Sequence, residues 1–257
     1  MTIWLIAVGM KALGKASGQV AAFPGDEGFL HRRGSLMQEN DWAACDRYIE
    51  ERLIGGAEAQ AETLHANAAA GLPHIDVSPA QGKFLYLLAR SIRARNIIEI
   101  GTLGGFSTIW LARALEPGGK LATLEYDPKH AEIARSNLVR EGVGERVDLR
   151  VGAALDLLPK LLAEGFGPVD FFFIDADKEN NANYFEWALK FSRPGSLIVV
   201  DNVIRAGAVV DPASKDPMVV ASRALFDLVS REPRVSATAL QTVGAKGWDG
   251  LLIASVN

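Results

Sequence analysis

The segment VDFFFIDADKEN, Val169–Asn180, decides the fold. Its first half is apolar apart from Asp170 and has the length of a strand buried on both faces. It then changes abruptly to Asp175-Ala176-Asp177-Lys178. The segment SLIVVDNV, Ser196–Val203, repeats the pattern and ends in Asp201-Asn202. Between them lies NANYFEWALKFS, whose apolar residues recur at helical spacing. Strand, helix and strand make a βαβ unit with parallel strands, so Asp175 and Asp201 emerge at the same rim of the sheet.

Outward from this unit the alternation continues in both directions. Upstream, NIIEIG, KLATLEYD and RVDLRVG read as strands, each followed by a helix: FSTIWLARAL, PKHAEIARSNLVREG and ALDLLPKLLAEG. Before them a helix begins at Asn40 or Asp41 and stops at Gly55-Gly56, and AEAQAETLHANAAAG reads as a second. LPHIDVSP is an extended connection, with Ser78-Pro79 as N-cap and first residue of the helix AQGKFLYLLARSI. Downstream, DPMVVASRALFDLVSRE is the last long helix, and VSATALQTV with GLLIASV closes the chain as a hairpin. The fold class is therefore α/β: a Rossmann-like three-layer αβα sandwich on a mostly parallel seven-stranded sheet. The hairpin requires one antiparallel strand near the C-terminus, close to a sheet edge.

The totals exclude several functions. A net charge of −4 offers no basic face for nucleic acid. The single cysteine, Cys45, rules out an internal disulfide and a cysteine-based zinc site, and fits a reducing, cytoplasmic setting. No apolar run reaches the roughly 18 residues of a membrane span. The N-terminal MTIWLIAVGM is followed, not preceded, by Lys11 and Lys15, the reverse of a secretory signal. Residues 1–36 read as a poorly ordered extension, with translation from Met37 as the alternative.

Chemistry collects at the strand ends. Gly101, Gly104 and Gly105 turn the chain between the first strand and its helix, which lets backbone approach a ligand, although the spacing is not G-x-G-x-x-G. No Walker lysine comes after it, against a nucleoside triphosphate. Glu125 ends the second strand, where an acid accepts hydrogen bonds from ribose hydroxyls. Glu99 lies inside the first strand, and a buried carboxylate there needs a partner. An amino-acid ammonium would serve, which S-adenosylmethionine has and NAD lacks. Asp175, Asp201 and Asn202 offer two carboxylates and an amide, oxygen ligands suited to Mg²⁺ or a similar hard cation such as Mn²⁺ or Ca²⁺.

Taken in order, VSPAQGKFL, EIGTLGGFSTIWLA, LEYDPKHAEIA, FIDADK, VVDNV and LQTVGAKGWDG resemble the cation-dependent class I O-methyltransferases that use S-adenosylmethionine. That family contains the catechol and caffeoyl-CoA enzymes, and the likeness is greatest to its small bacterial members. It runs from about Asp41 to the end and implies one methyltransferase domain over 37–257, with N-terminal helices in 37–75. It also implies that Asp175, Asp201 and Asn202 bind the metal. Val77, Glu99, Gly101 and Ser107 would lie at the methionine end of the cofactor, Glu125 at the ribose, Ala154 at adenine and Asp177 at the amino-acid part. Lys178 matches the lysine assigned as general base. Ala176-Asp177 stands where the catechol enzymes have His-Trp, which puts simple catechol specificity in doubt.

The implied reaction is methylation of a hydroxyl on a small phenolic, catechol-like acceptor, with no nucleic-acid or membrane partner. The two N-terminal helices resemble elements that pack across a homodimer, or else close on their own domain. The loop IRAGAVVDPASKDPM is expected to cover the metal, and Trp248 to offer an aromatic surface or join the core. A nicotinamide-dependent oxidoreductase would share the sheet and Glu125 but has no use for the acidic set. A noncatalytic cofactor-binding protein would lose those ligands or Lys178. An N-methylating nucleic-acid enzyme would often carry an N/D-P-P-[YF]-type motif, which is absent.

Overall fold

The computed structural model describes residues 39–55 and 60–257, which belong to one compact unit. The expected extension over 1–36, and the alternative start at Met37, lie outside the described residues. Three helices come first: α1 (Glu39–Leu53), α2 (Ala61–Ala69) and α3 (Pro79–Ser91). Alternation then runs through β1 (Asn96–Ile100), α4 (Phe106–Ala114), β2 (Lys120–Glu125), α5 (Pro128–Arg140), β3 (Val147–Val151), α6 (Ala154–Ala163), β4 (Val169–Ile174), α7 (Asn181–Phe191) and β5 (Ser192–Asp201). The chain closes with α8 (Pro217–Ser230), β6 (Val235–Gly244) and β7 (Gly247–Val256). Among the described residues no helix is long and apolar enough to cross a membrane.

The strands form one sheet in the order β3-β2-β1-β4-β5-β7-β6. Only β7 runs against the others, pairing antiparallel with both β5 and β6, one place in from the edge, as the hairpin requires. Alternation along the strands sorts the core into two layers. Ile97, Phe171, Phe173 and Val199 meet α3, α4 and α5 on one face. Ile98, Ile100, Phe172, Ile174 and Val200 meet α6, α7 and α8 on the other.

Strand register sets where the acids emerge. Ile100 pairs with both Leu124 and Ile174, and Ile174 pairs with Val200. The next residues on those four strands are Gly101, Glu125, Asp175 and Asp201, so they leave the sheet as one row. The Asp175 N–H still donates to the Ile100 carbonyl at 2.8 Å, which carries the pairing one step beyond β4.

Several boundaries differ from the sequence reading. Helix α2 starts at Ala61, not Ala57, because Gln60 is left-handed (φ 51°) and cannot extend a right-handed helix, while residues 56–59 lie outside the described set. Strand β5 starts at Ser192, four residues early. Val169 pairs with Ser192 ahead of a bulge, which Ser196 Oγ spans by accepting from the Arg193 N–H and donating to the Val169 carbonyl. Strand β7 starts at Gly247, so Trp248 is a strand residue paired with Val243. The expected N-cap of α3 is present: Ser78 Oγ accepts from the Gln81 N–H at 3.1 Å.

Asp170, the one polar residue in β4, is buried at the opposite end of the sheet from the row of acids. Its Oδ2 accepts the N–H groups of Arg95 and Asn96 at 2.8 and 2.9 Å, and its Oδ1 accepts from Arg193 Nε at 3.0 Å. One carboxylate thus ties the starts of β1, β4 and β5. Removing it leaves buried donors unpaired, so Asp170→Ala is expected to lower stability by roughly 3 kcal/mol in urea unfolding. A loss below about 0.5 kcal/mol would show the tie to be dispensable.

Candidate active site

Above the row of strand ends lies a cavity of about 720 Å³. Of the residues singled out in the sequence, Val77, Gly101, Ser107, Glu125, Ala154, Asp175, Asp177, Lys178 and Asn202 line it. Glu99 and Asp201 do not, and each sits directly behind a residue that does.

The glycine turn is shaped by close approach. Gly101 has φ +95°, and a Cβ there would stand 2.0 Å from the Asp175 carbonyl oxygen, so no other residue fits without moving the acid. A Cβ on Gly104 would stand 1.9 Å from Asn67 Oδ1. Buried Asn137 of α5 donates to the Gly104 carbonyl at 2.7 Å and to Asn67 Oδ1 at 2.8 Å, while Asn67 Nδ2 donates to Asp76 Oδ1 at 2.9 Å. Two amides thereby lock α2, the turn and the cavity wall together. Glu125 braces the same turn: Oε2 accepts from the N–H groups of Thr102 and Leu103 at 3.1 and 2.7 Å, and Oε1 from the Asp127 N–H at 2.9 Å.

Glu99 sits differently from the sequence expectation. Its carboxylate has no exposure and does not reach the cavity, so an ammonium ligand is not required to balance it. Three hydroxyls do so instead: Ser107 Oγ at 2.6 Å, Thr123 Oγ1 at 2.7 Å and Thr108 Oγ1. These neutral donors only partly offset burial, which, with the Asp175 charge adding to it, pushes the Glu99 pKa up to about 7. Of the three hydroxyl donors, Ser107 is the one that also lines the cavity.

On the opposite side, Asp175 Oδ1 and Lys178 Nζ are 2.5 Å apart. Asp201 Oδ2 accepts from Gln81 Nε2 at 2.6 Å, and its Oδ1 from the Asn202 N–H at 2.6 Å. Burial and the neighbouring Asp175 charge push the Asp201 pKa up to about 7, against the lowering effect of Lys178 and Gln81. The arrangement therefore stores negative charge that a cation would relieve. Among the described residues no three His, Cys, Asp or Glu side chains are placed to hold a metal ion. The candidate set has two carboxylates, with the Asn202 amide oxygen as third ligand, and that donor chemistry fits a hard divalent cation. Asp177 is fixed by Tyr184, whose hydroxyl donates to Oδ1, and by Asn180.

Trp248 is neither core nor cavity wall. It is 41% exposed, its ring lies over Gly207, and its Nε1 donates to Gln241 at 3.0 Å. Of the loop after Asn202, only Arg205 lines the cavity. Sequence reasoning missed Asn67, Asp76, Gln81, Asn137, Tyr184, Arg205 and Lys246. The available signals were slight: Asn67 and Asn137 are amides on the buried sides of amphipathic helices, and Gln81 falls three residues after an N-cap.

A family model described as O-methyltransferase matches residues 56–254. The catechol O-methyltransferase of Mycobacterium tuberculosis is 54% identical over 211 residues, covering 82% of this chain and 94% of that protein. The catechol O-methyltransferase of Niastella koreensis is 49% identical over 220 residues, covering 86% of this chain and 100% of that protein. Among solved structures, the O-methyltransferase from Bacillus cereus in complex with SAH superposes with a TM-score of 0.84 at 55% identity, covering 86% of this chain and 100% of that one.

The Glu99 environment has a pH signature. Its pKa is raised on folding, so the native state holds the extra proton and stability falls as pH rises from about 4.5 through 7. The Glu99 share of that fall is on the order of 3 kcal/mol. Glu99→Gln should flatten the decline of melting temperature over this range. Parallel curves for the two proteins would contradict the assignment.

Proposed function

The chain belongs to the S-adenosylmethionine-dependent O-methyltransferase family, and on that basis we propose that it methylates a hydroxyl of a small vicinal dihydroxy aromatic acceptor with the help of a divalent cation, Mg²⁺ being the first choice. The observation that carries the reading is the side-by-side emergence of Asp175 and Asp201 from the sheet, with Asp175, Lys178 and Asn202 on the wall of a cavity that Glu125 and Ala154 line from the other end and Asp201 directly behind Asn202. The catechol activity named for the two curated relatives supports the acceptor class.

In this reading Asp175, Asp201 and Asn202 hold the cation. Glu125 takes the ribose, Ala154 at the start of α6 faces the adenine, and Ser107, Val77 and Asp177 hold the methionine end. Gly101 keeps the backbone clear for that end. Glu99 acts through Ser107, not by direct contact. When bound, the sulfonium supplies the methyl carbon, and the cation supplies positive charge that favours an ionised acceptor oxygen over a phenol of pKa about 10. Lys178 is paired with Asp175 in this structure; as the free amine, the form that a cation held by Asp175 would favour through charge repulsion, its Nζ would accept the hydroxyl proton. Val77 and Phe106 exclude water from one wall. Residues 37–257 act as the single catalytic domain.

We also propose a homodimer. Helix α1 lies against β6, and together they expose Tyr48, Leu53, Leu240 and Val243. A monomer in sedimentation velocity at micromolar concentration would refute it.

The test of function is methyl transfer from labelled S-adenosylmethionine to a catechol panel, with Mg²⁺ and after EDTA. Chelation should abolish turnover, and Mg²⁺ should restore it. Lys178→Ala should lower kcat by about 10²-fold or more while leaving cofactor affinity within about threefold. Turnover indifferent to EDTA would remove the metal assignment, and turnover unchanged in Lys178→Ala would remove the base.

A further inference from the structure

Arg205 has a guanidinium with little to do. It lines the cavity three residues beyond Asn202, and its side chain is 24% exposed. Its Nη1 comes no nearer than 3.8 Å to Asp249 Oδ2, and its Nη2 touches only the Met218 sulfur, at 3.4 Å. A thioether is a weak acceptor, so most donors of this fork are unused among the described residues.

The backbone that presents Arg205 is built with care. Asn202, Arg205 and Ala206 have φ of 59°, 56° and 52°, a left-handed conformation costing roughly 1–3 kcal/mol for each non-glycine residue. The β6–β7 hairpin holds this turn in place: Asp249 Oδ1 accepts the N–H groups of Ile204 and Arg205 at 3.0 and 2.9 Å, and Trp248 covers Gly207. The hydrogen bonds of Asp249 thus go to backbone, and the guanidinium is left with a long ion pair to its Oδ2 at 3.8 Å. At the tip of the same hairpin stands exposed Lys246, within the electrostatic reach of Asp76, Asp175 and Asp201. The tip is itself anchored, since Asp46 of α1 accepts the Ala245 N–H at 2.7 Å. Arg205 therefore borders the cavity beside the acid pair on a braced turn, with Lys246 on an anchored hairpin tip within electrostatic reach of the same acids.

We propose that Arg205, assisted by Lys246, binds an anionic substituent of the acceptor, so that the favoured acceptors are vicinal dihydroxy aromatics that carry a carboxylate. The inference rests on the methyl-transfer reading above and narrows its acceptor class. A carboxylate matches the planar fork of a guanidinium in a way that no neutral group does. Arg205 is then a specificity-determining residue, separate from the metal ligands and from Lys178.

The test compares protocatechuate, a catechol carboxylate, with its uncharged amide, as a ratio of kcat/KM values in which any general loss of activity cancels. The native protein should favour the carboxylate about tenfold or more, as expected for hydrogen bonds to a charged group. Arg205→Gln should bring the ratio to within about threefold of unity. Arg205→Lys should keep part of the preference, and Lys246→Gln should lower it less than Arg205→Gln does. A native ratio near unity, or a ratio that Arg205→Gln leaves in place, overturns the proposal. If neither compound is methylated, the same ratio is read from dissociation constants of the protein loaded with S-adenosylhomocysteine and Mg²⁺. A preference that Arg205→Gln removes there upholds the anion site while the methyl-transfer reading falls. No preference, or no binding, overturns the anion site as well.

Discussion

Strands β4 and β5 pair Ile174 with Val200, and that pairing obliges Asp175 and Asp201 to leave the sheet as neighbours. Two carboxylates so placed repel each other, and burial worsens the cost for Asp201. Everything around them answers that cost. Lys178 closes on one acid, Gln81 on the other, and the chain reverses after Asp201 so that its own next N–H can help. The hydrophobic layers that lock the strand register therefore also fix the charge density of the site. A slip by one residue would turn Phe172 and Ile174 to the wrong layer, so the core itself opposes any drift of the acids.

Four buried polar groups do much of the remaining positioning, and these four are satisfied locally. Asp170 fastens the sheet at the end away from the cavity, while Glu99 sits under its floor among three hydroxyls. Asn67 and Asn137 clamp the glycine turn from the helix side. Such networks tolerate little substitution, because an unmatched donor in a low-dielectric interior costs more than the bond contributes. Apolar contacts supply the bulk of the core, and the polar groups fix where strand starts and loops are held.

The strand ends were legible in the sequence because their signals are local. An apolar run broken by Asp175 or Asp201, a glycine cluster after Ile100 and an acid after Leu124 can each be read within a dozen residues. Parallel alternation then aligned them. What could not be read depends on which helix face meets which strand. Glu99 looked like an acid waiting for a cationic ligand, since nothing in NIIEIG announces that Ser107, Thr108 and Thr123 converge on it. Asn67 and Asn137 are 70 residues apart and meet only through packing. Arg205 and Lys246 belong to loops whose course is set by Asp249 and Asp46, contacts that no periodicity encodes. Val77, Ser107, Ala154 and Asp177 were placed by family likeness, and each does line the cavity.

The sheet order has a consequence for biosynthesis. Strand β6 is made before β7 yet touches the sheet only through it, because β7 lies between β5 and β6. While the nascent chain emerges, β5 must wait with one edge bare, and the turn after Asn202 lacks the Asp249 carboxylate that holds it. The acidic pair can form early, but the wall beside it is completed only when the hairpin arrives. The strand order thus makes the C-terminal hairpin the last piece that the wall beside the acids requires.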